Sequence, residues 1–231
     1  MSFQTRLVPF AFAAVSLFCI PVFADGNPKS SNVGEATAPT ASSTAVDHWE
    51  TAMALVRYGD SKQDALAMIA AARIMKEVGD SPSKAAVVKG SGQTTSADKK
   101  TDTLTVEAIL ARAKQYAGDR KDLVALAEDA ARVGGRGAVH GPGRKSTLVY
   151  RGTQDVYQVA FRGGEPAIVF AAGDGDSDLD LYVYDENENL ICSDTDLTDR
   201  MLCRWSPRWT GQFTIKVKNL GMANYYTIVH N

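Results

Sequence analysis

The chain of 231 residues is poor in the residue types that most enzymes and membrane proteins need. It has three histidines, His48, His140 and His230, and none lies in a His-Glu-x-x-His spacing or near a Gly-x-Ser-x-Gly turn. A zinc hydrolase or a triad hydrolase is therefore not expected. Carboxylates are plentiful, but acids in polar turns rarely reach the raised pKa of a general acid, so a glycosidase pair is not expected either, and the chain reads as a non-enzyme. Charge of one sign is also lacking: 25 Lys and Arg stand against 27 Asp and Glu, and no basic excess points to nucleic acid. No apolar run reaches the roughly eighteen residues that a membrane-spanning helix requires.

The N-terminus has the order of a secretory signal peptide. Arg6 supplies a positive start, Leu7 to Ile20 is almost wholly apolar, and Pro21-Val22-Phe23-Ala24 ends on a small residue before Asp25. Cleavage is expected after Ala24, which gives a periplasmic or secreted protein without an integral membrane span. Cys19 leaves with the leader; Phe18 before it argues against a lipoprotein site. Two thiols then remain, Cys192 and Cys203, and in an oxidising compartment a pair so close in sequence is expected to form a disulfide.

Downstream, residues 25–43 are rich in Ser, Thr, Ala, Pro and Gly without apolar periodicity, and read as a disordered linker. Residues 44–135 carry helical periodicity in two blocks separated by a polar linker at 80–102. In the first block, Trp49, Met53, Val56 and Tyr58 lead to a stop at Gly59. A second helix is capped by Asp60 or Ser61, carries Leu66, Ile69, Ile74 and Val78, and ends at Gly79. At an offset of 59 the second block matches it without a gap at Gly59/Gly118, Asp60/Asp119, Lys62/Lys121, Ala71/Ala130, Ala72/Ala131 and Arg73/Arg132. Two such helical hairpins are expected to pack as one four-helix unit. Residues Gly134 to Lys145 hold five glycines and a proline in twelve positions, which marks a boundary, with a linker at 136–145.

From residue 146 the period changes to alternation, and up to eight short strands follow, separated by Gly-, Asp- and Asn-rich turns, as in a sandwich or barrel. The run Asp176-Ser177-Asp178-Leu179-Asp180-Leu181-Tyr182-Val183, followed by Gly211-Gln212-Phe213-Thr214-Ile215-Lys216-Val217 and Tyr225, resembles the bacterial pre-peptidase C-terminal domain over residues 146–231. The resemblance implies a jelly-roll-like β-sandwich that is appended to exported proteins and is not itself catalytic. Some members of that family bind calcium, others matrix polymers. No peptidase domain precedes the module here. The expected fold class is thus α + β multidomain: an N-terminal α-helical hairpin repeat followed by a C-terminal jelly-roll-like β-sandwich.

Between Asp174 and Asp199 there are ten acidic residues and no Lys or Arg. Asp178 and Asp180 share one face of a strand while Leu179, Leu181 and Val183 face the core, and Asp174 and Asp176 sit in the preceding turn. These four carboxylates are the candidate metal ligands, with calcium as the candidate cofactor because hard cations take flexible clusters of oxygens. The alternative is a solvated turn and edge, where Asp is favoured without any ligand. The aromatics Tyr182, Tyr184, Trp205, Trp209, Tyr225 and Tyr226 are candidates for a polymer-binding row or for packing. The function expected is an exported, non-catalytic binding or adaptor protein with a protein or extracellular polymer as partner. Its alternatives are a structural envelope protein assembling through its helical hairpins and an accessory subunit or chaperone of a separate exported enzyme.

Overall fold

The computed structural model describes residues 30–79, 81–91, 104–132 and 141–231. The signal-peptide reading, His140 and most of the two internal linkers lie outside them. Among the described residues four helices lie in the N-terminal half: α1 (Ala41–Lys62), α2 (Ala65–Val78), α3 (Val106–Ala117) and α4 (Lys121–Arg132). All eight strands expected from the alternating pattern are present: β3 (Gly143–Val149), β4 (Gln154–Phe161), β5 (Ala167–Ala172), β6 (Leu179–Tyr184), β7 (Leu190–Asp194), β8 (Arg200–Trp205), β9 (Gly211–Asn219) and β10 (Asn224–His230). Two further strands, β1 (Ser81–Pro82) and β2 (Ala86–Val88), come from the segment read as a polar linker.

The strands form two five-stranded sheets, β1-β3-β10-β5-β8 and β2-β4-β9-β6-β7, antiparallel except for the β1–β3 pair. They stack face to face over a core that contains Val169, Ala171, Met201, Tyr226 and Ile228 of the first sheet and Tyr157, Phe161, Leu181, Phe213 and Ile215 of the second. Strict alternation puts these residues inward. Strand β9 buries Phe213, Ile215 and Val217 while Gln212 and Lys218 stay exposed.

Strand β5 breaks the alternation: all six of its residues are buried. Its second face, Ile168, Phe170 and Ala172, shares a core with Trp49, Met53 and Val56 of α1, joined by Val229 of β10. The helices therefore form a third layer on the first sheet, and a strand covered on both sides needs apolar residues at every position. Charges flank this contact. On one face of α1, Asp47 and Glu50 pair with Arg204, and Glu50 also pairs with Arg200. One turn or more further on, Arg57 reaches the buried Asp199 at 3.1 Å.

Helix α1 differs from its expected length. It starts behind Thr40, whose hydroxyl accepts from Ser43 N–H while Ser43 Oγ accepts from Thr40 N–H. It then passes through Gly59 and Asp60 and ends at Lys62; Asp64 caps α2 by accepting from the N–H groups of Leu66 and Ala67. Gly59 is a packing glycine here, not a stop, since a Cβ on it would lie 2.6 Å from Met68 Sδ. Its counterpart Gly118 ends α3 with φ at +53° and open space around it. The two hairpins pack through α2 against α3 and α4. They share a sequence pattern but turn their corners by different means.

The segment read as a disordered linker is held down from residue 30 onward. Asn32 is fully buried; its N–H donates to Asp185 Oδ2 at 2.9 Å and its side-chain amide to the Trp209 carbonyl at 3.1 Å. Gly34 N–H donates to the Ser206 carbonyl at 2.7 Å. Composition alone suggested disorder because the partners of these residues lie more than 150 positions away.

Each flank of the sandwich is closed by a different device. On one flank the edge strands β7 and β8 are joined by the expected disulfide between Cys192 and Cys203, with Cα atoms 5.8 Å apart. On the other, the chain itself crosses from one sheet to the other between β1 and β2. Ser83 at this crossing lies 2.8 Å from His230 Nε2, through its Oγ. Beyond β2, Lys89 pairs with Asp155, a fully buried carboxylate that also accepts from Tyr226 OH at 2.7 Å and Gly90 N–H at 3.2 Å. The Tyr157 hydroxyl joins Tyr226, and burial raises both phenols above their ordinary pKa, so they remain neutral donors at physiological pH.

Two outcomes are expected from these closures. Replacing Cys192 and Cys203 with alanine should lower the unfolding free energy by about 2–4 kcal/mol in urea titrations, and reduction of the parent should give the same loss. Burial holds the His230 imidazole below its ordinary pKa, against the opposing pull of the Asn231 carbonyl. The unfolded chain then takes up this proton before the folded one, so stability is complete above about pH 6.5 and falls as pH drops from there towards the folded pKa. In thermal melts across pH, His230→Gln should flatten this decline.

A candidate binding surface at the loop end

Three loops meet at one end of the sandwich: 173–178 before β6, 195–199 before β8 and 220–223 before β10. Asp199 organises them. Its main-chain carbonyl accepts from Gly173 N–H at 2.8 Å, and its buried carboxylate accepts from Gly175 N–H, Arg57 and Asn224 Nδ2. Gly173 is required for this closeness, because a Cβ there would lie 2.4 Å from both Asp199 Oδ2 and Asn224 Oδ1. Gly175, at φ +98°, supplies the turn. Ser177 Oγ donates to Asn219 Oδ1 at 2.8 Å, and Leu220 N–H donates to the Asp178 carbonyl at 2.9 Å, which ties the first loop to the third. In the second loop, Asp196 accepts from the hydroxyl and N–H of Thr198, and these bonds hold its carboxyl below the ordinary value.

The four carboxylates taken as candidate metal ligands have different surroundings. Asp180 is buried on the outer face of β6, opposite Lys218 of β9, and accepts from Tyr182 OH at 3.0 Å, which raises the tyrosine's pKa. Asp174 accepts from Tyr225 N–H at 3.3 Å. Asp176 is exposed and Asp178 half-buried. Among the described residues no group of three or more His, Cys, Asp or Glu side chains is arranged to hold a metal ion. Strand β6 begins at Leu179 and carries Asp180 onto the sheet, while the turn before it folds around Asp199.

The candidate aromatic row is likewise divided. Trp205 and Tyr226 are core residues, Trp205 with its ring edge-on to Phe161 at 4.9 Å. Tyr182 and Tyr184 lie on the outer face of β6, with the Lys216 ammonium 4.6 Å from the Tyr184 ring. Trp209 donates from its indole to Glu186, beside the Asn32 anchor. Next to it the Asp185 carboxyl, pushed up by burial, is held below its ordinary value by the stronger effect of hydrogen bonds from Asn189, Asn32 and Asn187. The Ser83–His230 pair has the spacing of a nucleophile and its base, but Ser83 Oγ accepts from Ala85 N–H and His230 Nδ1 meets a main-chain carbonyl where an orienting carboxylate would stand. It ties the β1–β2 crossing to β10.

What remains conspicuous at the loop end is apolar. Leu197 is 89% exposed, Met222 53% and Leu220 47%, one or two on each of two neighbouring loops. Leu197 and Met222 line an open cavity of about 610 Å³ together with Gly175, Asp176, Asp178 and Arg57. In the sequence, Leu197 is a lone leucine within Asp194-Thr195-Asp196-Leu197-Thr198-Asp199, and Leu220 and Met222 flank a turn glycine. Nothing in periodicity distinguishes such residues from strand positions.

No helix among the described residues is long and apolar enough to cross a membrane. The chain matches no known family model, and no curated protein matches it.

Proposed function

We propose that this is an exported, non-catalytic binding or adaptor protein, periplasmic or secreted, whose loop end is the contact surface for another protein. The observation that carries the reading is the exposure of Leu197, Leu220 and Met222 together on loops cross-tied by hydrogen bonds. Large apolar side chains at the tips of otherwise polar loops cost solubility and contribute nothing to the core, so a partner that covers them gives them a role. Loops gathered at one end of a β-sandwich are a common place for recognition, because the sheets fix their roots while their tips vary. The resemblance to the pre-peptidase C-terminal domain, a module appended to exported proteins, agrees with this role. A jelly-roll-like strand order belongs to the same proposal. The helical layer gives the sandwich a rigid back through the α1–β5 core and the Glu50–Arg200–Arg204 ion pairs.

Placing a photo-reactive benzophenone amino acid at position 197 in producing cells tests the reading. One discrete adduct with a second protein is expected, with none from position 66, a leucine that is 53% exposed on α2. Adducts of the chain with itself alone would favour the structural envelope reading, and a stoichiometric enzyme would favour the accessory-subunit reading. Absence of any adduct at 197 with expression intact would refute the loop-end surface.

A further inference from the structure

We infer that the end of strand β8 takes up an extended, uncharged segment of another protein, which adds to the first sheet as a further strand. This surface is separate from the loop end and independent of it. Leu202 donates its N–H to Asp194 Oδ2 of β7 at 2.9 Å and not to β5. Met201, Cys203 and Trp205, which stand opposite Ala171, Val169 and Ala167, therefore bond across to β5. By alternation Leu202, Arg204 and Ser206 turn their main-chain groups away from it. Most of this outward edge is taken: Thr198 Oγ1 bonds both main-chain groups of Arg200, Asp194 holds Leu202 N–H, and Gly34 N–H donates to the Ser206 carbonyl. Arg204 is the gap. Among the described residues neither its N–H nor its carbonyl makes a bond outside the β5–β8 ladder. The disulfide at Cys203 and the Asp194 contact lie just before it in the strand.

A cavity of about 410 Å³ is lined in part by Arg204 itself. Its walls include Val33, Ala36 and Pro39 of the N-terminal arm and Ile191 of β7. Among the described residues the charged side chains that line it are Asp47 and Arg204, which pair with each other. The cavity thus matches an uncharged occupant, since a charged segment would lose water there without gaining a counter-ion. The arm already uses the neighbouring position in the same manner: Gly34 bonds Ser206 main chain to main chain at 2.7 Å, whereas Thr37 N–H goes only to Ser206 Oγ. A second extended segment would continue that pairing by giving Arg204 an acceptor and a donor together. Its side chains would alternate between the two faces of the first sheet, so apolar and small uncharged residues fit both.

The Arg204 amide is the reporter. In the full-length, oxidised protein alone it should exchange freely with deuterium, while Cys203 and Trp205, bonded to β5, stay protected. The probes are heptapeptides selected against this protein from a random phage-displayed library and then synthesised. Selected sequences are expected to be uncharged and rich in β-branched residues, and to slow exchange at Arg204 saturably. N-methylation of the peptide residue that pairs with Arg204 should weaken binding about tenfold, because it removes a main-chain hydrogen bond. On the protein side, Arg204→Ala loses the ion pairs to Asp47 and Glu50 but should still bind. Arg204→Pro also loses the outward N–H and should not bind, although proline at such an edge position leaves the β5 ladder intact. If no selected peptide slows exchange at Arg204, or if every N-methylated analogue binds like its parent, the proposal is overturned. Selection of charged sequences would overturn the uncharged class of partner. Protection of Arg204 in the protein alone would also sink the proposal: protection that grows with concentration would assign the edge to a second copy, and protection independent of concentration to this chain itself.

Discussion

Two stacked sheets of five strands expose four edge strands, and an exposed edge invites pairing with another chain. Here the edges are dealt with in pairs. Strands β7 and β8 lie side by side on one flank and are joined covalently through Cys192 and Cys203. Strands β1 and β2 lie on the opposite flank and are consecutive in the chain, so the connection between them spans the gap between sheets. That connection is secured by Ser83 against His230 and by Lys89 against the buried Asp155. Asp155 is fully buried but Lys89 is 37% exposed, so water screens part of the attraction and the pair contributes less than a fully buried one. The remaining architecture depends on these closures, because the inward faces are packed only while the sheets stay together.

The same closures explain why the helical hairpins and the sandwich share one body. Strands β1 and β2 leave the helical half after α2, enter both sheets, and the chain then returns to build α3 and α4. The sandwich is thereby completed by residues that precede half of the helices. Helix α1 is bound to the first sheet by the apolar contact of Trp49, Met53 and Val56 with Phe170 and its neighbours, and by ion pairs on both sides of that contact. Arg57 reaches from this helix to Asp199, the residue around which the first loop folds, so the position of the helical layer and the shape of the loop end are linked through one carboxylate.

The loop end itself is stiff for a set of loops. Its backbone donors and acceptors are used between loops, and Gly173 and Gly221 allow the side chains of Asp199, Asn224 and Ser177 to approach backbone that any Cβ would block. A surface fixed in this way presents its apolar residues without the entropic loss of ordering them at the moment of contact. Apolar tips on ordered polar loops are therefore a feature of this molecule that packing does not account for.

Much of this was legible in the chain. Alternation, with one unbroken apolar run at β5, located the eight strands from β3 to β10, and two thiols eleven residues apart in sequence marked their own disulfide. Helical periodicity found α1 to α4, since each buries one stripe. Elsewhere local composition misled, for a consistent reason: a short polar segment has no periodicity by which to announce its partners. Ser81 to Val88 and Asn32 to Thr37 became ordered only by pairing with residues far along the chain. Among four aspartates close in sequence, a strand begins after the third and carries Asp180 onto a sheet face. Periodicity and residue type set the elements and the faces they bury; which edges meet, which polar segment closes them and which loops share an end follow from long-range packing, whose energy no local window of residues contains.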